Sequence, residues 1–269
     1  MTLRLAFLGI GLMSKAITRN LVLYGNLENP LTIYNRTKSY AEEHATVIGH
    51  SRVVDTINEA VLDSDIIWSC LQDQDAVSST FESILTIDIK GKLFIESSTI
   101  TPGKTDDIAK RVLSAGGEFV ALPVMGEPSL AELRLLICIA AGSLDSVERI
   151  KPYIVGVEHN NSVGQSMVDL SGEEPGKASL LKLMGNVVIM TTMETVAEVN
   201  PIVDVTKARI LTSHVLALAK STGASVKAYE VAVEHLKVVE THAGGTADIN
   251  GIYGAVRLES SLPYKNGSE

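Results

Sequence analysis

Two short segments of this 269-residue sequence carry groups able to hold phosphate. In the first, Gly9-Ile10-Gly11-Leu12-Met13-Ser14, two glycines stand one residue apart, directly after the apolar run at 3–8. Directly behind them Leu12, Ala16, Ile17 and Leu21 recur at helical spacing. In a strand-turn-helix unit of this kind Gly9 permits the tight turn and Gly11 lets the main chain approach a pyrophosphate. The helix that opens there, through Leu12 and Met13, offers its N–H groups and positive dipole end to the phosphates. Serine occupies position 14, where the dinucleotide fingerprint has a third glycine. An accidental glycine turn is the competing reading, and the flanking strand and helix weigh against it.

The second segment, Asn35-Arg36-Thr37, closes the next apolar run at 31–35. A carboxylate at this place would bind both ribose hydroxyls and repel a 2′-phosphate. An amide, a guanidinium and a hydroxyl instead suit that phosphate, with Arg36 able to pair with it and to lie over the adenine. The cofactor expected is therefore NADP(H). On the plainer view Arg36 is an exposed turn residue and Thr37 caps the next helix.

The elements that must position these groups follow from the hydrophobic pattern. Apolar runs at 3–8, 31–35, 65–71, 92–97, 118–124 and 135–141 alternate for the most part with helix-length segments at 38–47, 56–62, 75–85 and 102–115. Strands that are apolar throughout, separated by helices, give a mostly parallel sheet covered on both faces. Right-handed crossovers then wind it doubly, as in a Rossmann domain. From about 174 long helical patterns take over, at 174–199, 203–221 and 225–243, with Pro201 between the first two. The expected organisation is α/β: an NADP-binding domain over 1–172 and a small all-α domain for dimerisation and substrate over 173–269.

Composition narrows the function classes. With 45% hydrophobic and 20% charged residues the chain reads as globular, and a net charge of −9 opposes a nucleic-acid backbone. Both cysteines, Cys70 and Cys138, sit inside apolar runs, which together with the start MTLRLAFLGIG favours the cytosol. No apolar run reaches the roughly 18 residues of a membrane span. The six histidines are scattered without metal-binding spacing, so no metal is expected.

Several motifs resemble those of the β-hydroxyacid dehydrogenases, the family of 3-hydroxyisobutyrate dehydrogenase and of the NADP-binding part of 6-phosphogluconate dehydrogenase. They are GIGLMSKAITRNL (9–21), ESSTITP (96–102), LPVMGEP (122–128), GKASLLKLMGN (176–186) and ADINGIYGAVRLES (247–260). The likeness is to fungal-type members with a shortened C-terminal helical domain. It implies that Leu71 and Thr99 line the cofactor, and that Ser98, Met125 and Gly126 line the substrate. Lys182 would be the general acid/base at the substrate oxygen, and Asn186 would hold that oxygen or the lysine. Residues four apart on a helix share a face, and a lysine set among Leu180, Leu181, Leu183 and Met184 can be shifted by desolvation. The alternative is that Lys177 and Lys182 are solvated positions of an amphipathic helix.

The departures from the family pattern matter as much. After Glu198-Val199-Asn200-Pro201 roughly 35 to 45 family positions are absent, set against typical domain sizes. Ile210 and Leu211 stand where the family has a lysine-aspartate pair, Met125 replaces a serine, and Glu127 replaces a small residue. Each change removes a polar anchor or adds negative charge, so a short hydroxy acid fits poorly. A bulkier carbonyl or imine compound, of the kind met in secondary metabolism, fits better. The reading is an NADPH-dependent oxidoreductase acting on such a compound in either direction, with Lys182 moving the proton. The rival is a member that binds NADP(H) or a small molecule without redox turnover, as a binding subunit or in a non-redox step. A homodimer, with exchange of the C-terminal helices as one form of it, is expected because the shortened domain leaves an apolar stripe on the long helix.

Overall fold

The computed structural model describes residues 3–156, 161–198, 204–222, 227–248 and 251–265, and the chain falls into two compact units, Met1–Thr191 and Thr192–Glu269. In the first unit six strands lie parallel in the order β3-β2-β1-β4-β5-β6: β1 (Leu5–Leu8), β2 (Leu31–Tyr34), β3 (Ser51–Val53), β4 (Ile66–Ser69), β5 (Leu93–Glu96) and β6 (Glu118–Ala121). The chain reverses direction across the sheet between β1 and β4. In open α/β sheets, ligands bind beyond the strands' carboxyl ends at such a switch point.

Alternation along the strands sorts the core into two layers. Leu5 and Phe7 of β1 face Ile17 and Leu21 of α1 (Leu12–Tyr24), with Ala41 and Ile48 of α2 (Lys38–Ile48) and Val147 and Ile150 of α7 (Leu144–Val155) in the same layer. Ala6 and Leu8 share the opposite layer with Val61 of α3 (Ile57–Leu62), Phe81 of α4 (Gln74–Ile84) and Ile108 and Val112 of α5 (Pro102–Ser114). Each large side chain so buried contributes roughly 1.5–3 kcal/mol. Helix starts are marked in the sequence: Asp73 accepts from Ala76 N at 2.8 Å to cap α4, and Pro102 opens α5.

The far side of the sheet is antiparallel. β6, β7 (Val124–Met125) and β8 (Leu136–Gly142) form one unbroken register in which Val120 faces Gly142, Val124 faces Cys138 and Met125 faces Ile137. Pro123, between β6 and β7, still accepts from Ile139 N at 3.0 Å. β9 (Gly164–Ser171) adds in parallel to the other side of β8. Hydrophobic periodicity does not reveal β3 or β9. The first is three residues long, and the second carries Gln165, Ser166 and Asp169 on a largely solvent-facing edge.

α6 (Pro128–Glu132) follows β7, and α8 (Gly176–Glu198) leaves the sheet. The two compact units divide inside α8, at Thr191/Thr192. The second unit contains α9 (Val205–Thr222), α10 (Lys227–Ala243) and α11 (Ile252–Glu259), packed on Val205, Ala208, Leu236, Val239 and Ala255. Among the described residues no helix is long and apolar enough to cross a membrane.

Candidate functional site

At the carboxyl end of β1 the turn is possible only for glycine. Gly9 has φ +92°, and a Cβ there would lie 2.6 Å from Leu71 Cδ2 and 2.8 Å from the Cys70 carbonyl oxygen. Gly11 has the opposite character, since nothing lies within 4 Å of where its Cβ would be. α1 starts at this residue without a side-chain cap, so its first N–H groups face an open approach. That combination fits a diphosphate, held by main-chain donors at a helix N-terminus. Leu12 is 80% exposed on the same rim, and Met13 packs partly into the core.

Asn35 clamps the turn from the neighbouring strand. Its Oδ1 accepts from Ile10 N at 2.9 Å, and its Nδ2 donates to the Thr37 carbonyl at 2.9 Å. Arg36 and Thr37 are exposed, and Thr37 precedes α2 without making a side-chain cap bond. Lys38 is engaged differently, 2.6 Å from Asp55. The groups suited to a ribose phosphate thus stand at the end of β2, in an order set by β2 pairing with β1.

Beneath the turn lies a polar cluster that the sequence does not announce. Ser14, in the place of the fingerprint's third glycine, is buried and donates to the Cys70 carbonyl at 3.2 Å. Leu71 N donates to Ser98 Oγ at 2.7 Å. Ser98 N in turn donates to Glu96 Oε1 at 2.6 Å, and the Ser69 hydroxyl donates to Glu96 Oε2. Glu96 is buried at the end of β5, and that burial pushes its carboxyl up to about 7 despite the donors that favour the charged form. Trp68 Nε1 donates to Ser97 Oγ at 2.8 Å, and Thr99 is exposed one residue beyond Ser98. The only hint in the sequence is a carboxylate closing an otherwise apolar strand.

α8 is fastened to α5. Asp106 Oδ1 accepts from Gly176 N at 2.6 Å, and a Cβ at Gly176 would meet the same carboxylate at 2.4 Å. Thr105 Oγ1 and Ser179 Oγ, both buried, are 2.7 Å apart. One turn further, Lys182 is half-buried, and desolvation lowers its pKa. Lys177 contrasts with it, exposed and paired with Glu173, which raises its pKa. The leucines around Lys182 divide: Leu181 packs into the core, whereas Leu180 is 49% and Met184 57% exposed.

Asn186 is half-buried on the Lys182 side of the helix. Between them in sequence, Gly185 meets the tip of Met125: a Cβ there would be 2.7 Å from the Met125 methyl. Gly126, at φ +131°, turns the chain after β7, and Asn20 Nδ2 on α1 donates to the Ala131 carbonyl at 2.7 Å to hold the end of α6. Glu127 is exposed and accepts from Ser129 Oγ at 2.7 Å. The first unit therefore brings Met125 onto the helix face of Lys182 and Asn186, and gathers Gly9, Leu71 and Ser98 around one turn. In the second unit Ile210 is exposed on α9. The segment at 199–203 with Pro201 and the side chain of Leu211 lie outside the described residues.

Comparison with known proteins agrees with this fold. Residues 4–163 match the model of the NAD binding domain of 6-phosphogluconate dehydrogenase. The NADH-dependent oxidoreductase ucdB of Aspergillus ustus is 44% identical over 299 aligned residues, covering 96% of this chain and all of the relative. Because that alignment is longer than this chain, about 40 of its positions have no counterpart here, the size of the shortening expected after α8. Among solved structures, a 3-hydroxyisobutyrate dehydrogenase of Mycobacterium tuberculosis with L-serine superposes at TM-score 0.64 and 17% identity, covering 96% of this chain and 100% of that one. A reductive aminase of Aspergillus terreus in complex with NADPH4, cyclohexanone and allyl amine superposes at 0.57 and 16% identity, covering 96% and 100%. With its parallel sheet order, glycine turn and sequence match in agreement, the chain belongs to the family whose NAD-binding domain is that of 6-phosphogluconate dehydrogenase.

Proposed function

We propose that this chain is an NADP(H)-dependent oxidoreductase that reduces a carbonyl- or imine-type small molecule, or oxidises the corresponding product. The observation that carries the reading is Lys182, a half-buried lysine of lowered pKa on the helix face that receives Met125. A lysine whose charged form is disfavoured in this way gives up its proton more readily and can exchange it with the substrate heteroatom, while Asn186 orients that atom. A bound nicotinamide would supply or accept the hydride. Met125 and the bare helix surface at Gly185 make one wall apolar, and the exposed carboxylate of Glu127 near the same segment disfavours an acidic substrate and favours a neutral or cationic one.

Arg36 supports the 2′-phosphate form of the cofactor, being exposed beside a clamped Asn35 with no carboxylate at the end of β2. The name of the 44% identical relative specifies NADH, so the two dinucleotides must be compared directly. In the native chain NADPH is expected to bind more tightly than NADH, and Arg36→Ala to remove most of the difference. Equal affinities in the native protein would refute the 2′-phosphate role. Turnover is tested by following NADPH absorbance against panels of ketones, aldehydes and imines. Binding without oxidation of any member would favour the second reading, a protein that binds dinucleotide without redox turnover, which the apolar Ile210 and Leu211 support.

In solution the chain is proposed to be a cytosolic homodimer. Leu180, Met184 and Val187 are exposed at helical spacing on α8, and both cysteines are free thiols. A monomer in sizing and scattering would refute the dimer.

A further inference from the structure

Among the described residues Glu96 is the one acidic side chain in the buried set, and it has no cationic partner. Its neighbours on every side are neutral. β4 contributes Ser69 opposite it, together with the Cys70 thiol, which burial pushes up to about 12. β6 contributes Ala121, and the following turn contributes Ser98. The carboxylate accepts from the Ser69 hydroxyl and from Ser98 N, and the nearby Ser98 hydroxyl also favours its charged form. With its hydrogen directed at Glu96, the Ser98 hydroxyl turns a lone pair toward Leu71 N, 2.7 Å away. Leu71 and Cys70 are the residues packed against Gly9, and Ser14 holds the Cys70 carbonyl from the other side.

We infer that Glu96 is a positioning residue for dinucleotide binding, whose carboxylate form fixes the Ser98 hydroxyl and, through Leu71, the wall behind the Gly9 turn. The inference rests on a dinucleotide lying over Gly9–Ser14. An ionised carboxylate is acceptor-only and satisfies all three donors. On protonation it becomes a donor as well, so one serine hydroxyl must turn away: Ser69 can turn to the Ile95 carbonyl 3.2 Å from it, whereas a proton aimed at Ser98 rotates that hydroxyl and disturbs the acceptor of the Leu71 N–H. Because the carboxyl titrates at about 7, both arrangements are populated near neutral pH. Cofactor affinity then falls as the pH drops through this range. By linkage, binding near the midpoint releases protons.

The test is NADH binding to the full chain between about pH 6 and about pH 8.5, followed by energy transfer from Trp68, the one tryptophan. NADH is used because it lacks a 2′-phosphate, which would itself titrate near about pH 6. One hydrogen bond of ordinary strength corresponds to about a fivefold change, so Kd should be about fivefold weaker at the acid end. Glu96→Gln should flatten the profile. Ser69→Ala removes a donor to the charged form and should move the midpoint upward. A flat native profile, or the same slope in Glu96→Gln, overturns the inference. If Glu96→Gln does not fold, the Ser69→Ala midpoint decides, and an unmoved midpoint overturns it. Failure of the native chain to bind NADH or NADPH at any pH is a different result, which removes the dinucleotide reading itself.

Discussion

Replacing Glu96 by glutamine should stabilise the first unit at alkaline pH and leave it nearly unchanged in acid. Burial raises the carboxyl from 4.5 to about 7 in the folded chain. A raised carboxyl pKa means that the folded state holds its proton more tightly than the unfolded state. The stability contribution is therefore fully present below about 4.5 and is lost as the pH rises through about 7. At about 1.36 kcal/mol per unit, the whole loss is about 3 kcal/mol, of which about 2 falls between pH 5.5 and pH 8. Glutamine keeps the shape, accepts from Ser98 N and donates to the Ser69 hydroxyl without carrying a charge. Some of the gain is offset because the Ser98 hydroxyl loses a charged acceptor, at about 1 kcal/mol. The assay is urea unfolding monitored by the emission of Trp68, which is fully buried and hydrogen-bonded to Ser97, at the two pH values. The native chain should lose about 2 kcal/mol more than Glu96→Gln between them. Equal losses in the two proteins, or a native chain that gains stability relative to the variant as pH rises, would refute the argument. A gain in stability that weakens cofactor binding would place Glu96 among residues retained for function at a cost in folding.

Three further outcomes follow from the geometry. Gly9→Ala forces an L-residue to φ +92° and drives its Cβ into Leu71 and the Cys70 carbonyl, so dinucleotide affinity should fall by about tenfold or more, read by fluorescence titration. Lys182→Met should remove about 100-fold or more of any turnover while leaving dinucleotide Kd within a factor of about two, if the lysine has its proposed place at the substrate. Gly176→Ala collides with the Asp106 carboxylate and should destabilise the docking of α8 on α5 by about 1–3 kcal/mol. Hydrogen exchange at the start of α8 should then accelerate, while exchange in β1 and β4 stays as it was.

The parts of the architecture that could be read from sequence were those in which pattern and punctuation agree. The run before Gly9, the helix after it and the long helices beyond 174 each have the right period and a residue that starts or stops them. β9 was hidden because Gln165, Ser166 and Asp169 break its apolar pattern, and α11 (Ile252–Glu259) because eight residues give too little periodicity. The site divides in the same way. Gly9 follows from backbone sterics and the half-burial of Lys182 from its place in an apolar helix, but Met125 meets Gly185 across about 60 residues of chain and only the fold brings them together. Glu96 was opaque for a different reason, because a charged residue at a strand end is usually solvated. Its burial depends on Ser69, Ser97 and Ser98 closing around it from two strands.

The unbroken register of β6, β7 and β8 bears on how substrate preference could change. Position 125 hangs from a backbone locked by its neighbours, with Met125 opposite Ile137, and not from a free loop. Exchanging that one side chain therefore changes what lies against Gly185 on α8 without shifting the backbone that carries it. Under the proposed function, saturation of this single codon, together with 185, is accordingly a small library from which altered specificities could be selected, whereas a one-residue insertion at Pro123 would swap the inner and outer faces of the strand and take the side chain at 125 away from α8.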